Sequence, residues 1–514
     1  MHKPPLNTRS RRLTITWGEN SGETMIEKNV KIHDKFQFEI KLGYKIKRKQ
    51  EKTDYDIEAY FFIPNNLGLD RYTYSKADFY QDIHSYIRLK TPTMLLRQIT
   101  EANGSPIAEL HQSMDELLVK RDRDSHENYE YHVKMLCSIV KSALRDHVEF
   151  AEKSSPNDIN DLLETFISGS KQVTEAYRDL KPVIMVPTVN EKSISIYRFG
   201  DEFLSQNIEL YSFHLLKWID NQNDNTPFSA IREKLASQIR EEYKYRRTLN
   251  YQSSLDTAYE SEMLIYRRGV LKKYIGSALF LDTRREKEGR LIEQTLLGIA
   301  AGLSMVFATM VAFYAQKHFG TFTMPVFTAL VVSYIFKDRI KELSRIYFLN
   351  KFRQFGFDHK TDIFGDSRKK IGTCKEAVSF VEENEIPHRI KTIRGRGPIA
   401  DVENRWRGEK VIFYRKQVTL FSKRLEEVYR GFNIEGVNDI IRFNVQRFLT
   451  KMDNPSRKIY ILQDNAVGEI NADRVYHVNL VLTISREEKT FYKRVRIILN
   501  RNGISRIEEI DMES

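Results

Sequence analysis

The stretch LLGIAAGLSMVFATMVAFYA, Leu296 to Ala315, carries no charge. The break Gln316-Lys317-His318 follows it, and FGTFTMPVFTALVVSYIF, Phe319 to Phe336, is again uncharged. At 1.5 Å per helical residue, about 20 residues give roughly 30 Å, the thickness of a hydrocarbon core. The second run, about 18 residues, holds Pro325, so its helix starts near that proline and is short for a span. With so little chain to turn on, the sequence predicts antiparallel neighbours: a two-helix transmembrane hairpin over 291–336. The alternative is a helical pair inside a soluble core, which an apolar run by itself equally fits.

Charge decides between them. Arg267, Arg268, Lys272, Lys273, Arg284, Arg285, Lys287 and Arg290 precede the runs, and Lys337, Arg339, Lys341, Arg345, Lys351 and Arg353 follow them. The turn holds only Lys317. By the positive-inside rule both flanks, and with them the N- and C-termini, are expected in the cytoplasm, a two-span layout like that of bacterial inner-membrane proteins. The basic clusters suit anionic lipid head groups. Gly298 and Gly302 form a GxxxG step beside Ala301, Ala308, Ala312 and Ala315, a surface on which helices approach closely in lipid, within the pair or between copies.

The rest of the chain reads as an α+β protein around this hairpin. Only 2 cysteines, Cys137 and Cys374, occur in 514 residues, too few for a disulfide framework or thiolate metal site. The basic N-terminus leads into no apolar segment of signal-peptide type. Charged residues are 30% and hydrophobic ones 41%, a globular balance, and the net charge of +12 is concentrated beside the apolar runs.

Residues 1–64 are expected to form an N-terminal antiparallel β module. Phe36, Phe38, Ile40, Leu42, Tyr44 and Ile46 alternate with polar residues, as do Ile57, Ala59, Phe61 and Ile63, and the two runs read as one hairpin. Leu13, Ile15, Trp17 and Ile26, Val30, Ile32 suggest earlier strands. Residues 65–290 form a long helical middle, starting with a helix from Ser75 to about Leu89 and ending in a juxtamembrane amphipathic helix rich in Tyr and Arg (Tyr243, Tyr245, Arg246, Arg247, Tyr251, Tyr266, Arg267, Arg268, Tyr274). Residues 337–387 read as a cytosolic stalk, with Ile340, Leu343, Ile346, Tyr347 and Leu349 turned inward, then a loop and a helix from Lys375 to Glu385. Residues 388–514 are expected to form a C-terminal antiparallel β module with a helix over Val437 to Leu449; Tyr476, Val478, Leu480, Leu482 and Ile484 alternate strictly, and Asn502-Gly503 marks a turn.

Chemical motifs are sparse. Asp78, Tyr80, Asp82, His84 and Arg88 would share neighbouring faces of one helix, which reads as a solvated face with local ion pairs; Asp78, Asp82, His84 and Arg88 are the first suspects if the chain is an enzyme. His111, His126, His132 and His147 lack the i, i+4 step of a helical metal site, so no metal or cofactor is expected. Arg394, Gly395, Arg396 and Gly397, followed by Arg405 and Arg407, combine arginines with a freed backbone, a candidate anion site, although no strand and helix frame it as a P-loop. The sequence therefore points to a membrane-tethered, cytosol-facing scaffold, sensor or effector that binds protein partners and oligomerises through the hairpin. A nucleic-acid or nucleotide-responsive effector and an enzyme of unfamiliar type are the alternatives, with nucleic acid the less favoured partner.

Overall fold

Strand alternation builds two sheets that share strands from both ends of the chain. The computed structural model describes residues 30–47, 50–101, 104–154, 156–222, 228–251, 258–320, 323–365, 368–395, 409–429, 432, 434–463, 466–487 and 489–510. In chain order the first elements are β1 (Lys31–Ile32), β2 (Gln37–Lys45), β3 (Lys52–Ile63), α1 (Lys76–Asp82) and β4 (Ile83–Leu89). Helices α2 (Pro106–Lys120), α3 (Arg123–Ala151), α4 (Pro156–Asp179), α5 (Lys181–Ile184), α6 (Glu191–Asp220), α7 (Ser229–Thr248) and α8 (Ala258–Gly276) come next. Then come β5 (Asp282–Lys287), α9 (Arg290–Phe319), α10 (Met324–Phe355), β6 (His359–Phe364), β7 (Lys370–Val381), α11 (His388–Gly395), β8 (Lys410–Phe421), α12 (Ser422–Val428), β9 (Gly436–Asn444) and α13 (Gln446–Leu449). The chain ends in β10 (Ser456–Gln463), β11 (Ala466–Asp473), β12 (Tyr476–Arg486), β13 (Lys489–Asn500) and β14 (Gly503–Ile510).

The smaller sheet runs β1-β2-β9-β4 and the larger β14-β13-β12-β3-β8-β7-β6-β5, antiparallel throughout. They pack face to face: Phe61 of β3 stacks on Phe443 of β9 at 5.2 Å, and Tyr44 of β2 meets Tyr55 of β3 at 5.0 Å. β3 is central, and from Ala59 to Ile63 it is buried on both faces, because Ile386 and, from α11, Ile390 and Ile393 cover its other side against Tyr60 and Phe62. The same core runs on into the helices, where Leu136, Ile139, Val140 and Leu144 of α3 pack with Leu204, Ile208 and Leu215 of α6. Gly436 lets β9 close on β2: a Cβ there would lie 1.9 Å from the Tyr44 carbonyl oxygen.

The two-helix transmembrane hairpin is corrected by these helices. Among the described residues one helix, Glu293–Phe319, has the length and apolarity to cross a membrane, with mean hydropathy 2.1 over its apolar window. α10 starts only at Met324, and from there to Phe336 it offers about 13 apolar residues, roughly 20 Å, before Lys337.

Separate N- and C-terminal β modules are also corrected. β3 pairs with β8 and β12, and β2 with β9, so the runs read as one hairpin stand in different sheets. Short-range alternation shows that a strand exists but not its partner when that partner lies hundreds of residues away. The helix expected from Ser75 stops at Asp82 and becomes β4 at Ile83, where Ile83, Ile87 and Leu89 are needed in the core. Lys375 to Glu385 is mostly β7, and Val437 to Asn444 is β9. Of the residues expected to turn inward along a stalk, Leu343, Ile346 and Tyr347 are exposed and Ile340 is half-buried. Leu13, Ile15, Trp17 and Ile26 lie outside the described residues.

Candidate functional site

α9 and α10 leave the body as an antiparallel prong. Their seam uses small side chains: Ala300, Ser304 and Ala315 of α9 and Val326 and Ser333 of α10 are buried, and Ser333 Oγ donates to the Ala308 carbonyl at 3.4 Å. Registering Ala308 beside Ser333 puts Lys337 near the level of Ser304 and Arg345 near Leu296. The distal half of the prong is therefore apolar on both helices, and the half nearer the body is apolar on α9 alone. Outward from the seam stand Leu303, Val306, Met310 (66% exposed) and Phe313 (68%) on α9, and Phe327, Val331, Tyr334 and Ile335 on α10. The GxxxG glycines are not in the seam: a Cβ on Gly298 or Gly302 meets nothing within 4 Å. Ala301, Ala308 and Ala312 are half-buried along its margin.

The prong is rooted by strand pairing. β5 enters it and β6 leaves it, and the two pair from Asp282↔Phe364 to Lys287↔His359. Both ends of the excursion consequently lie on one side, a constraint that the apolar runs alone do not impose. Asp358, just after α10, accepts from Lys76 Nζ at 2.7 Å, Tyr80 Oη at 3.0 Å and Val378 N at 2.9 Å, tying the root to α1 and β7. Glu288, just before α9, pairs with Lys375 at 2.7 Å. Arg285 of β5 lies over the Tyr80 ring at 4.8 Å and 3.5 Å from Glu376.

Inward of the root lies a closed polar cluster between the sheets. Lys416 of β8 is 1% exposed and Asp439 of β9 0%. Their side chains meet at 2.5 Å, and Lys416 Nζ also donates to Ser85 Oγ at 2.9 Å. Asp439 accepts from Tyr44 Oη at 3.0 Å and Ser85 Oγ at 2.6 Å; Glu376 accepts from Tyr414 Oη at 2.5 Å. Burial works against the Lys416 ammonium, but the Asp439 and Glu376 carboxylates outweigh it and raise its pKa, so it stays charged. Burial pushes the Cys374 thiol up, against the pull of Lys416, and it stays neutral and un-nucleophilic. The adjoining cavity, about 90 Å³ and lined by Ser85, Thr283, Arg285, Thr361, Glu376 and Lys416 among others, is room for a few waters. The arrangement bolts two sheets together and offers no activated nucleophile.

No family model, curated protein or solved structure matches this chain. The residues singled out by sequence have local roles instead. Arg394 is 3% exposed and gives two hydrogen bonds to Glu409, at 2.6 and 3.0 Å, so the one candidate anion-site arginine within the described residues is spent on a carboxylate. Gly395 ends α11; Arg396, Gly397, Arg405 and Arg407 lie outside the described residues. Asp78 and Asp82 both pair with Arg447, whereas His84 and Arg88 sit on β4, so the four suspects do not converge. Among the described residues no group of three or more His, Cys, Asp or Glu is placed to hold a metal ion. His126 bonds Ser193 Oγ at 2.8 Å, and His147 the Leu162 carbonyl at 2.8 Å.

Part of the Tyr/Arg-rich segment turns inward, although Arg247 and Tyr266 are exposed. Three carboxylates on α6 receive it: Asp201 accepts from Tyr245 and Tyr251 at 2.8 and 3.2 Å, Glu202 from Arg267 at 2.7 Å, and Glu209 from Arg246 and Arg268 at 2.5 and 2.8 Å. Burial raises the Asp201 pKa despite the Arg178 guanidinium beside it. The acidic residues at 201, 202 and 209, in the apolar middle of α6, are the one sequence signal of these partners. In place of a juxtamembrane helix, β5 joins the bundle to α9.

Proposed function

We propose that this chain is a membrane-anchored scaffold, sensor or effector that binds protein partners, with its α+β body held against one side of a bilayer by the α9–α10 prong. The observation that carries the reading is the outward apolar surface of α9, continued by the apolar end of α10, on a prong fixed to the body at its root. Contiguous apolar surface of this kind is rarely left in water and marks a membrane or partner contact. Lipid is the better match, because α9 has the length and hydropathy for it and because the half of the prong nearer the body is lined by Lys337, Arg339, Lys341 and Arg345, which suit anionic head groups. Tyr334 with Lys337 over its ring at 4.0 Å is a pairing suited to the interface. The same basic bias favours the cytoplasmic side for the body.

A binding role is supported by the sheet-to-sheet charges, which satisfy one another. The case for nucleic acid loses Arg246, Arg267 and Arg268, which are committed to α6. In a flotation assay with phosphatidylcholine–phosphatidylglycerol vesicles, the chain should rise with the lipid, and the pair Met310→Asp and Phe313→Asp should return it to the dense fractions. A chain that stays dense, or a variant that floats unchanged, overturns the anchor.

A further inference from the structure

The register of the larger sheet gathers particular strand ends at one edge of the body. Lys287 at the end of β5 pairs with His359 at the start of β6; Val381 at the end of β7 pairs with Val411; Ile63 at the end of β3 pairs with Lys410; and Phe62 pairs with Asn479 near the start of β12. The prong leaves and returns at this end. So does the ribbon formed by β10 and β11, which feeds into β12 and is closed at its base by Arg474 N donating to the Pro455 carbonyl at 2.8 Å.

The ribbon belongs to neither sheet. Among the described residues β10 and β11 pair only with each other, from Ser456↔Asp473 to Gln463↔Ala466. The pairing puts Ile459 and Ile470 on one face and Tyr460, Leu462 and Val467 on the other, and all five are exposed, Leu462 at 71% and Val467 at 75%. A ribbon lying on a protein partner hides one face and keeps the other polar. One with exposed apolar side chains on both faces, beside a Lys458–Glu469 pair at 2.7 Å on the second, matches a medium that surrounds it. Two features limit how deep it goes: each strand has an outer edge, whose backbone groups find no partner in hydrocarbon, and the sequence joining the strands, Gln463-Asp464-Asn465, is polar. Charge is balanced along 456–474, Arg457, Lys458 and Arg474 against Asp464, Glu469 and Asp473, so the attraction is apolar rather than ionic.

We propose that the β10–β11 ribbon is a second, shallow membrane contact, lodged at the boundary of head groups and acyl chains while the prong goes deeper. This rests on the lipid reading of the prong, and makes the strand-end edge that both share the membrane-facing side of the body. Cys137 and Cys374 are buried, so single added cysteines can be labelled selectively with an environment-sensitive fluorophore. The full chain is reconstituted into phosphatidylcholine vesicles brominated either near the head group or near the acyl terminus, with the label at Val467→Cys, Met310→Cys or Phe491→Cys. Phe491 is exposed at the opposite end of the sheet, where it pairs with Ile484. The expected result is loss of emission at position 467 with shallow bromines only, loss at 310 with deep bromines, and no loss at 491. Quenching at 310 without quenching at 467 overturns the ribbon contact and leaves the anchor standing. No quenching at either position removes both. Emission at 467 that falls with protein concentration but not with bromine assigns the ribbon to a second copy and overturns the proposal.

Discussion

Lys416 shows how much of this protein depends on a single side chain. Its ammonium joins β8 of the larger sheet to Asp439 on β9 of the smaller one, with Tyr44, Ser85 and Glu376 completing the cluster. Such a pair adds little net stability when intact, because desolvation cancels most of the attraction, but removing one partner strands the other as a buried charge. Lys416→Met should therefore destabilise the fold by roughly 3–5 kcal/mol, read as a lowered urea midpoint. The double change Lys416→Met with Asp439→Leu should recover part of that loss, since Asp439 is no longer stranded and Glu376 keeps Arg285 at 3.5 Å. Additive losses would show that the two charges do not act as a pair. Nothing in the sequence hints at this cluster: Tyr44 and Asp439 stand 395 positions apart.

At the scale of elements, the apolar runs and the alternating strands were legible, because burial imposes periods of 3.6 and 2 on any sequence that meets it. What stayed hidden was pairing. β2 and β3 each look like half of a hairpin, yet β3 is completed by β8 and β12, and only that long-range pairing explains its continuous burial from Ala59 to Ile63. The helical reading of Ser75 to Leu89 failed for a related reason: Ile83 and Ile87 stand four apart, as on a helix face, but with Leu89 they serve as one face of β4. The prong offers a direct contrast between sequence and contact. Its GxxxG step is the obvious packing motif, whereas the seam is made by Ala300, Ser304, Ala315 and Ser333. Ser304→Leu should overpack that seam and cost about 1–3 kcal/mol, while Gly302→Leu, facing open space, should leave the pair intact and gain some helix propensity. Thermal unfolding in detergent followed by circular dichroism ranks the two; the reverse order would place the glycine face in the contact.

For the whole molecule the decisive fact is that the chain's two halves are sewn into the same sheets. β3 lies between β8 and β12, and β5 pairs with β6 across the prong, so no bilayer can come between the half before α9 and the half after α10 without tearing the larger sheet apart. A helix that qualifies as a span by length is thereby forced into company with a returning helix that does not. This makes a sharp prediction for proteolysis. Between Arg290 and Lys337 the sequence contains one lysine or arginine, Lys317 at the turn. When the full chain is added to preformed sealed vesicles and trypsin is applied outside, the body on both sides of the prong should be digested and a fragment from Leu291 to Lys337 should survive, uncut at Lys317. Without lipid, the same digestion should cleave at Lys317, since the turn is then open to the enzyme. Mass spectrometry of the vesicle pellet distinguishes the outcomes. Protection of the segment before α9 or of the segment after α10 would mean that one half had crossed, which the shared sheets forbid in the folded chain, and cleavage at Lys317 in the presence of vesicles would mean that the prong had stayed in water.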